Sequence, residues 1–181
     1  MTVSRRIITC SVAPALLAGV ILAMLPADRR AATILLNVSP SLPLGLYRRV
    51  RAPVRPGALI AFAVPKSGRA YTRDHMPDRL RTSILKPVAA GPGAQICVQA
   101  DQLTIDSRAV AIIASRDHQG RHLPHWEGCR VLAEGEVFTL STRISNSFDS
   151  RYFGPVGRAD ILGVYAPLMV FQGASGRAAQ R

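Results

Sequence analysis

The amino-acid sequence predicts a mainly β fold. Its apolar runs are strand-sized and separated by Gly/Pro or polar breaks, and the chain is rich in glycine and proline, with 14 and 13 among 181 residues. That pattern suits short strands joined by many turns rather than a helical bundle. At this length the chain can bury one sizeable core with little left over. Strand candidates fall at 33–38, 58–64, 83–89, 95–98, 102–105, 110–114, 137–141 and 161–165. The polar stretch 66–81 has room for a short helix, which Pro77 limits. The stretch 116–129, with His118, His122, His125 and Trp126, reads as a long solvated loop. The spacing of its histidines matches no familiar ligand set, so no metal site is expected.

The first 30 residues differ from the rest. After Arg5 and Arg6 an almost unbroken apolar run covers 7–26 and ends at Asp28, Arg29 and Arg30. About 20 apolar residues span a bilayer as a helix. A cleaved signal peptide, the alternative, has a shorter apolar core and a small-x-small exit, and Leu25 and Pro26 interrupt the best candidates. The run also lacks the polar face of a buried soluble helix. The expected organisation is therefore an anchor over 1–30, one folded domain over 31–172 and a small, polar tail over 173–181 that frays. Arginines are more numerous after the run than before it, but a long domain is exported regardless of such charge. The body is accordingly placed outside the cytoplasm.

The net charge of +12 and pI near 11.1 suit an anionic membrane surface, an acidic substrate or nucleic acid. A nucleic-acid-binding barrel needs exposed aromatic residues, which a 6% aromatic content hardly offers, so no nucleic-acid partner is expected. Nearly all the cations are arginine, and Lys66 and Lys86 are the only lysines. Of the three cysteines, Cys10 lies in the apolar run. In an oxidising compartment the natural pair is Cys97 with Cys129.

Three segments carry groups capable of chemistry. In Asn37-Val-Ser-Pro-Ser-Leu-Pro-Leu-Gly-Leu-Tyr47, Pro40 and Pro43 bracket Ser41 and leave it little backbone freedom. This suits a nucleophile, and equally any tight loop. Leu42, Leu44, Leu46 and Tyr47 beside it belong either in the core or on a membrane surface. Lys86 lies in a strand whose apolar neighbours Ile84, Leu85 and Val88 can desolvate an ammonium and lower its pKa. A strand-edge lysine reaching solvent is the plain alternative. Asn146-Ser-Phe-Asp-Ser-Arg-Tyr-Phe-Gly-Pro-Val156 offers Asp149 and Arg151 as a loop-fixing pair and Ser147 as a hydroxyl able to orient the lysine.

In this order, these segments resemble the boxes of the membrane signal peptidases. Ser39-Pro-Ser41-Leu-Pro resembles the nucleophile box and Gly57-Ala-Leu-Ile-Ala-Phe62 the strand after it. Leu85-Lys-Pro-Val-Ala-Ala-Gly-Pro-Gly93 resembles the lysine box, and Asn146-Ser-Phe-Asp-Ser-Arg-Tyr-Phe-Gly154 the last box. Ala94 replaces the acid of the lysine box, and Thr142-Arg-Ile-Ser145 replaces a glycine/acid-rich lead-in to the last one. Together with Gly120-Arg-His-Leu-Pro124 and Gly128-Cys129, these details resemble the TraF-type peptidases of plasmid conjugation systems.

The resemblance implies a signal-peptidase-like β catalytic core behind an N-terminal transmembrane helix. It implies a cofactor-free serine endopeptidase in which Ser41 is the nucleophile and Lys86 the base, with Ser39 and Ser147 supporting and Asp149 and Arg151 as scaffold. The implied setting is the bacterial inner membrane, with the catalytic domain in the periplasm. The implied substrate is an exported precursor, above all the pilin precursor of a conjugation system. General secretory processing, or a non-catalytic assembly role within a secretion apparatus, are the alternatives.

Overall fold

The computed structural model describes residues 32–77 and 83–171. The expected anchor and tail lie outside the described residues, and no helix among those described is long and apolar enough to cross a membrane. The mainly β expectation holds. Among the described residues eleven strands form an antiparallel sheet of seven, in the order β1-β2-β11-β3-β4-β9-β10, and one of four, in the order β7-β6-β5-β8.

The large sheet comprises β1 (Ile34–Asn37), β2 (Gly45–Val50), β3 (Leu59–Ala63), β4 (Ser83–Ala90), β9 (Glu136–Thr139), β10 (Val156–Gly157) and β11 (Ile161–Val170). The small one comprises β5 (Gln95–Gln99), β6 (Gln102–Ile105), β7 (Arg108–Ile112) and β8 (Gly128–Val131). The main core joins Ile60, Phe62, Ile84 and Val88 of the large sheet to Ile96, Val98 and Leu103 of the small one. Tyr47, Ala61 and Tyr165 form a smaller cluster.

β4 shows the period-2 rule most clearly. Its residues alternate between partly buried and buried, which puts Lys86 on the same face as Ile84, Val88 and Ala90. Leu85 points the other way and packs with the smaller cluster. Register pairs Lys86 with Ile60 of β3. β9 joins β4 only at Val88 and Ala90, so among the described residues the Ser83–Lys86 half of β4 has a strand neighbour on one side alone.

Several boundaries differ from expectation. The helix α1 (Lys66–His75) stops short because Met76 precedes Pro77 and takes the extended conformation that a proline imposes on its predecessor. β2 was not expected: no strand candidate falls between 38 and 58, where Gly45–Val50 forms one. Gly45 is required there, with φ of 155° and a would-be Cβ only 2.1 Å from the Met169 carbonyl oxygen. Leu42 and Tyr47 turn inward, whereas Leu44 is exposed. β7 begins two residues before the expected 110–114 run, and β8 includes Cys129, the end of the expected long loop.

The rest of that loop is pinned rather than merely solvated. Asp117 accepts from the Tyr71 hydroxyl of α1 at 2.7 Å, from Arg121 Nε at 2.7 Å and from the Gln119 and Arg121 N–H groups. Trp126 packs against Phe138 and donates to the Ser150 carbonyl at 3.2 Å. Among the described residues no three His, Cys, Asp or Glu side chains group as a metal site.

Cys97 and Cys129 oppose each other across β5 and β8 and are disulfide-bonded, closing a sequence separation of 32 residues. A loop of that length is worth about 3 to 4 kcal/mol of stability through the unfolded chain. Replacing both cysteines by serine is expected to lower unfolding stability in urea by about that amount. A change within experimental error would show that the strand pairing alone holds the small sheet.

Candidate active site

Ser41 lies in the tight segment between β1 and β2. The Asn37 side chain organises this segment: its amide donates to the carbonyls of Ser39 at 3.0 Å, Leu42 at 3.3 Å and Pro43 at 3.0 Å. Its carbonyl oxygen accepts from the Ser39 N–H at 3.1 Å. The Tyr47 hydroxyl adds a bond to the Pro43 carbonyl at 2.7 Å. With Pro40 and Pro43 fixing φ on either side, Ser41 is only 2% exposed, yet its hydroxyl borders an open groove of about 220 Å³.

Lys86 reaches this hydroxyl from β4. Its Nζ is 2.6 Å from Ser41 Oγ and 2.8 Å from Ser147 Oγ, and the residue is 3% exposed. Burial pushes the Lys86 ammonium down from its ordinary 10.5 to about 8. Asp149 acts against this shift and Arg151 with it, so the two halves of the nearby ion pair act on the amine in opposite directions. Ser39 Oγ lies 3.0 Å from Ser41 Oγ. Neither Asn37 nor Tyr47 stood out in the sequence as a loop organiser, although Asn37 opens the motif that contains both serines.

The last segment supplies the frame. Asp149 caps the short helix α2 (Ser150–Phe153), accepting from the Arg151 N–H. Arg151 grips its carboxylate through Nε at 2.8 Å and Nη2 at 2.9 Å. It also donates to the carbonyls of Ser145, Ser141 and Ser147. Both members of the pair are buried, and these bonds leave few of their donors and acceptors unused. The Asp149 carboxylate takes the Ser141 N–H at 3.0 Å, and the Ser141 hydroxyl donates to the backbone carbonyl of Ser41. Ser150 is tied in turn to Thr139 at the end of β9. Ser141 carried no signal in the sequence, because its partner is 100 residues away.

All six expected site residues thus converge: Ser39 and Ser41 from one loop, Lys86 from β4, Ser147 from the loop before α2, Asp149 from its N-cap and Arg151 from its first turn. A serine hydroxyl 2.6 Å from a desolvated amine, beside an open groove, is an arrangement able to transfer an acyl group.

The chain is similar to known proteins over most of its length. Residues 4–169 match the family described as signal peptidase, peptidase S26. The conjugal transfer protein TraF of Agrobacterium fabrum is 33% identical over 146 residues, which cover 75% of this chain and 81% of that protein. A plasmid transfer protein TraF of Escherichia coli is 30% identical over 176 residues, covering 92% of this chain and 99% of that protein. A crystal structure of a signal peptidase I from Enterococcus faecalis overlaps 64% of this chain and 97% of its own at 20% identity, with a TM-score of 0.37. The chain belongs to the peptidase S26 family of signal peptidases and is related within it to the TraF proteins of conjugal transfer.

Proposed function

We propose that this protein is a membrane-bound serine endopeptidase that uses Ser41 and Lys86 to remove signal or propeptide segments from exported proteins. The observation that carries the reading is the burial of the Lys86 amine between two serine hydroxyls, at 2.6 and 2.8 Å. Neutral Lys86 takes the proton from Ser41 Oγ as that oxygen attacks the scissile carbonyl. The proton then passes to the departing amine, leaving Ser41 acylated. Lys86 next takes a proton from water, whose oxygen displaces Ser41 and completes hydrolysis. Ser147 orients the amine, and the Ser41 N–H with the Ser39 hydroxyl stabilises the oxyanion.

An extended precursor fits the groove between β1 and the first half of β4, where it can add as a strand. Relatedness to TraF proteins of conjugal transfer supports a pilin precursor as substrate, in preference to general secretory precursors. A membrane setting is supported by the apolar run at 7–26 and by one corner of the large sheet. There Leu36, Leu46 and Met169 stand in one cross-strand row, and Leu36 and Met169 are 59% and 58% exposed. The Cys97–Cys129 disulfide supports an oxidising compartment, the periplasm.

Purified Ser41→Ala and Lys86→Ala are each expected to process a propilin at least about 10³-fold more slowly than wild type, read by mass measurement of the products. Processing by Ser41→Ala at the wild-type rate would refute the dyad. In wild type, kcat/KM is expected to rise about tenfold per pH unit below about 8 and to level off above it, because only the neutral amine accepts the serine proton.

Stability follows the same group. Below about 8 the folded and unfolded chains both carry the Lys86 proton, and the folded state bears the full desolvation cost. Between about 8 and 10.5 the unfolded chain keeps the proton that the folded chain sheds, so this contribution to stability rises with pH. Lys86→Met is therefore expected to be inactive yet more stable at pH 7 by on the order of 2 kcal/mol in urea unfolding. A less stable Lys86→Met would contradict the desolvation account.

A further inference from the structure

We propose that Ser141 is a positioning residue for the hydrolysis assigned above, fixing the backbone of Ser41 so that its hydroxyl stays aligned with Lys86. The inference rests on the Ser41/Lys86 reading and adds a residue that neither the sequence motifs nor that mechanism uses.

The bonds that shape the Ser41 segment pass around the nucleophile rather than through it. Asn37 holds the carbonyls of Ser39, Leu42 and Pro43 and the N–H of Ser39, all flanking groups. The Ser41 carbonyl itself is held by the Ser141 hydroxyl. That carbonyl sets the orientation of the Ser41–Leu42 peptide plane, and through ψ the direction in which the Ser41 side chain leaves the backbone. Ser141 is 2% exposed, so no water competes for this bond.

Ser141 is a fixed reference because its other polar groups are already committed. Its N–H donates to Asp149 Oδ2 at 3.0 Å, and its carbonyl accepts from Arg151 Nη2 at 3.2 Å. The same Arg151 Nη2 holds the Ser147 carbonyl at 2.9 Å. The two hydroxyls that flank the Lys86 amine are therefore tied to one buried ion pair, Ser147 through Arg151 and Ser41 through Ser141. Any displacement of that frame carries both hydroxyls together, so their position relative to each other is preserved.

The division of labour within Ser141 makes the idea testable. The bonds that hold the ion pair use its main chain, and only the bond to Ser41 uses its side chain. Ser141→Ala removes the link to the nucleophile and keeps the links to Asp149 and Arg151.

The experiment compares full-length wild type, Ser141→Ala, Ser141→Thr and Ser41→Ala on one propilin precursor that the wild type cleaves. The same proteins are followed by hydrogen–deuterium exchange. Ser141→Ala is expected to lose about 10- to 100-fold in kcat, the scale of a small misplacement of reacting atoms, with KM within about twofold. The pH of half-maximal rate should stay where it is in wild type, since Lys86 keeps its burial. Ser141→Thr, which retains the hydroxyl, should recover most of kcat. Exchange in the 38–44 segment should quicken by about tenfold in Ser141→Ala while that of β9 is unchanged, the signature of a local release.

A Ser141→Ala protein that unfolds overturns the proposal, because the hydroxyl would then hold the fold rather than the nucleophile. So does one with wild-type kcat and wild-type exchange over 38–44 while Ser41→Ala is inactive. Cleavage by Ser41→Ala would instead remove the underlying dyad reading, which separates the two failures.

Discussion

Desolvation of a single amine is the constraint on which the rest of the site depends. Lys86 sits on the inward face of β4 because side chains alternate along a strand, and its neighbours on that face are the apolar Ile84 and Val88. Without a compensating carboxylate in contact, an ammonium at that position is costly, and the amine sheds its proton more readily than in water. The charges of Asp149 and Arg151 also act on it and pull in opposite directions. Pairing them with each other keeps a strong scaffold beside the lysine without restoring its charge.

The two hydroxyls at 2.6 and 2.8 Å complete this logic. A hydroxyl is both donor and acceptor, so Ser41 and Ser147 can bond the amine whether or not it carries its proton. A carboxylate in either place would instead hold the lysine charged. The remainder of the fold delivers these groups from distant parts of the chain. β3 and β4 fix the lysine, the Asn37-centred turn between β1 and β2 fixes Ser41, and the buried Asp149–Arg151 pair fixes Ser147. Gly45 lets β2 start directly after the Ser41 segment while lying against the backbone of β11.

Much of this was legible in the sequence where the information is local. The strand-sized apolar run at 83–89 announced a strand whose neighbours Ile84, Leu85 and Val88 can desolvate Lys86, and Pro40 and Pro43 announced a rigid serine. The three boxes announced their company. β2 was missed because two arginines and a glycine mask a strand whose inward residue, Tyr47, is anchored by a hydroxyl bond four residues back. β8 was missed because Gly128–Val131 has no buried side chain at all and is held by pairing with β5 and by the disulfide. The histidine-bearing loop looked solvated because the bonds that dock it, from Tyr71 to Asp117 and from Trp126 to the Ser150 carbonyl, span 46 and 24 residues. Ser141 was invisible for the same reason on a larger scale. Local pattern reports which face of an element is apolar, whereas polar cross-links between distant segments leave no periodicity to read.

The central claim concerns the protonation of one nitrogen, and direct titration of that nitrogen by 15N-detected NMR on lysine-labelled protein is its plainest test. With Lys66 the only other lysine, the two resonances are assigned by a single Lys66→Arg variant. The account predicts that Lys86 Nζ titrates at about 8 in the folded protein. A value at or above the ordinary 10.5 would contradict it, because Lys86 would then be a charged structural lysine rather than a base poised for Ser41.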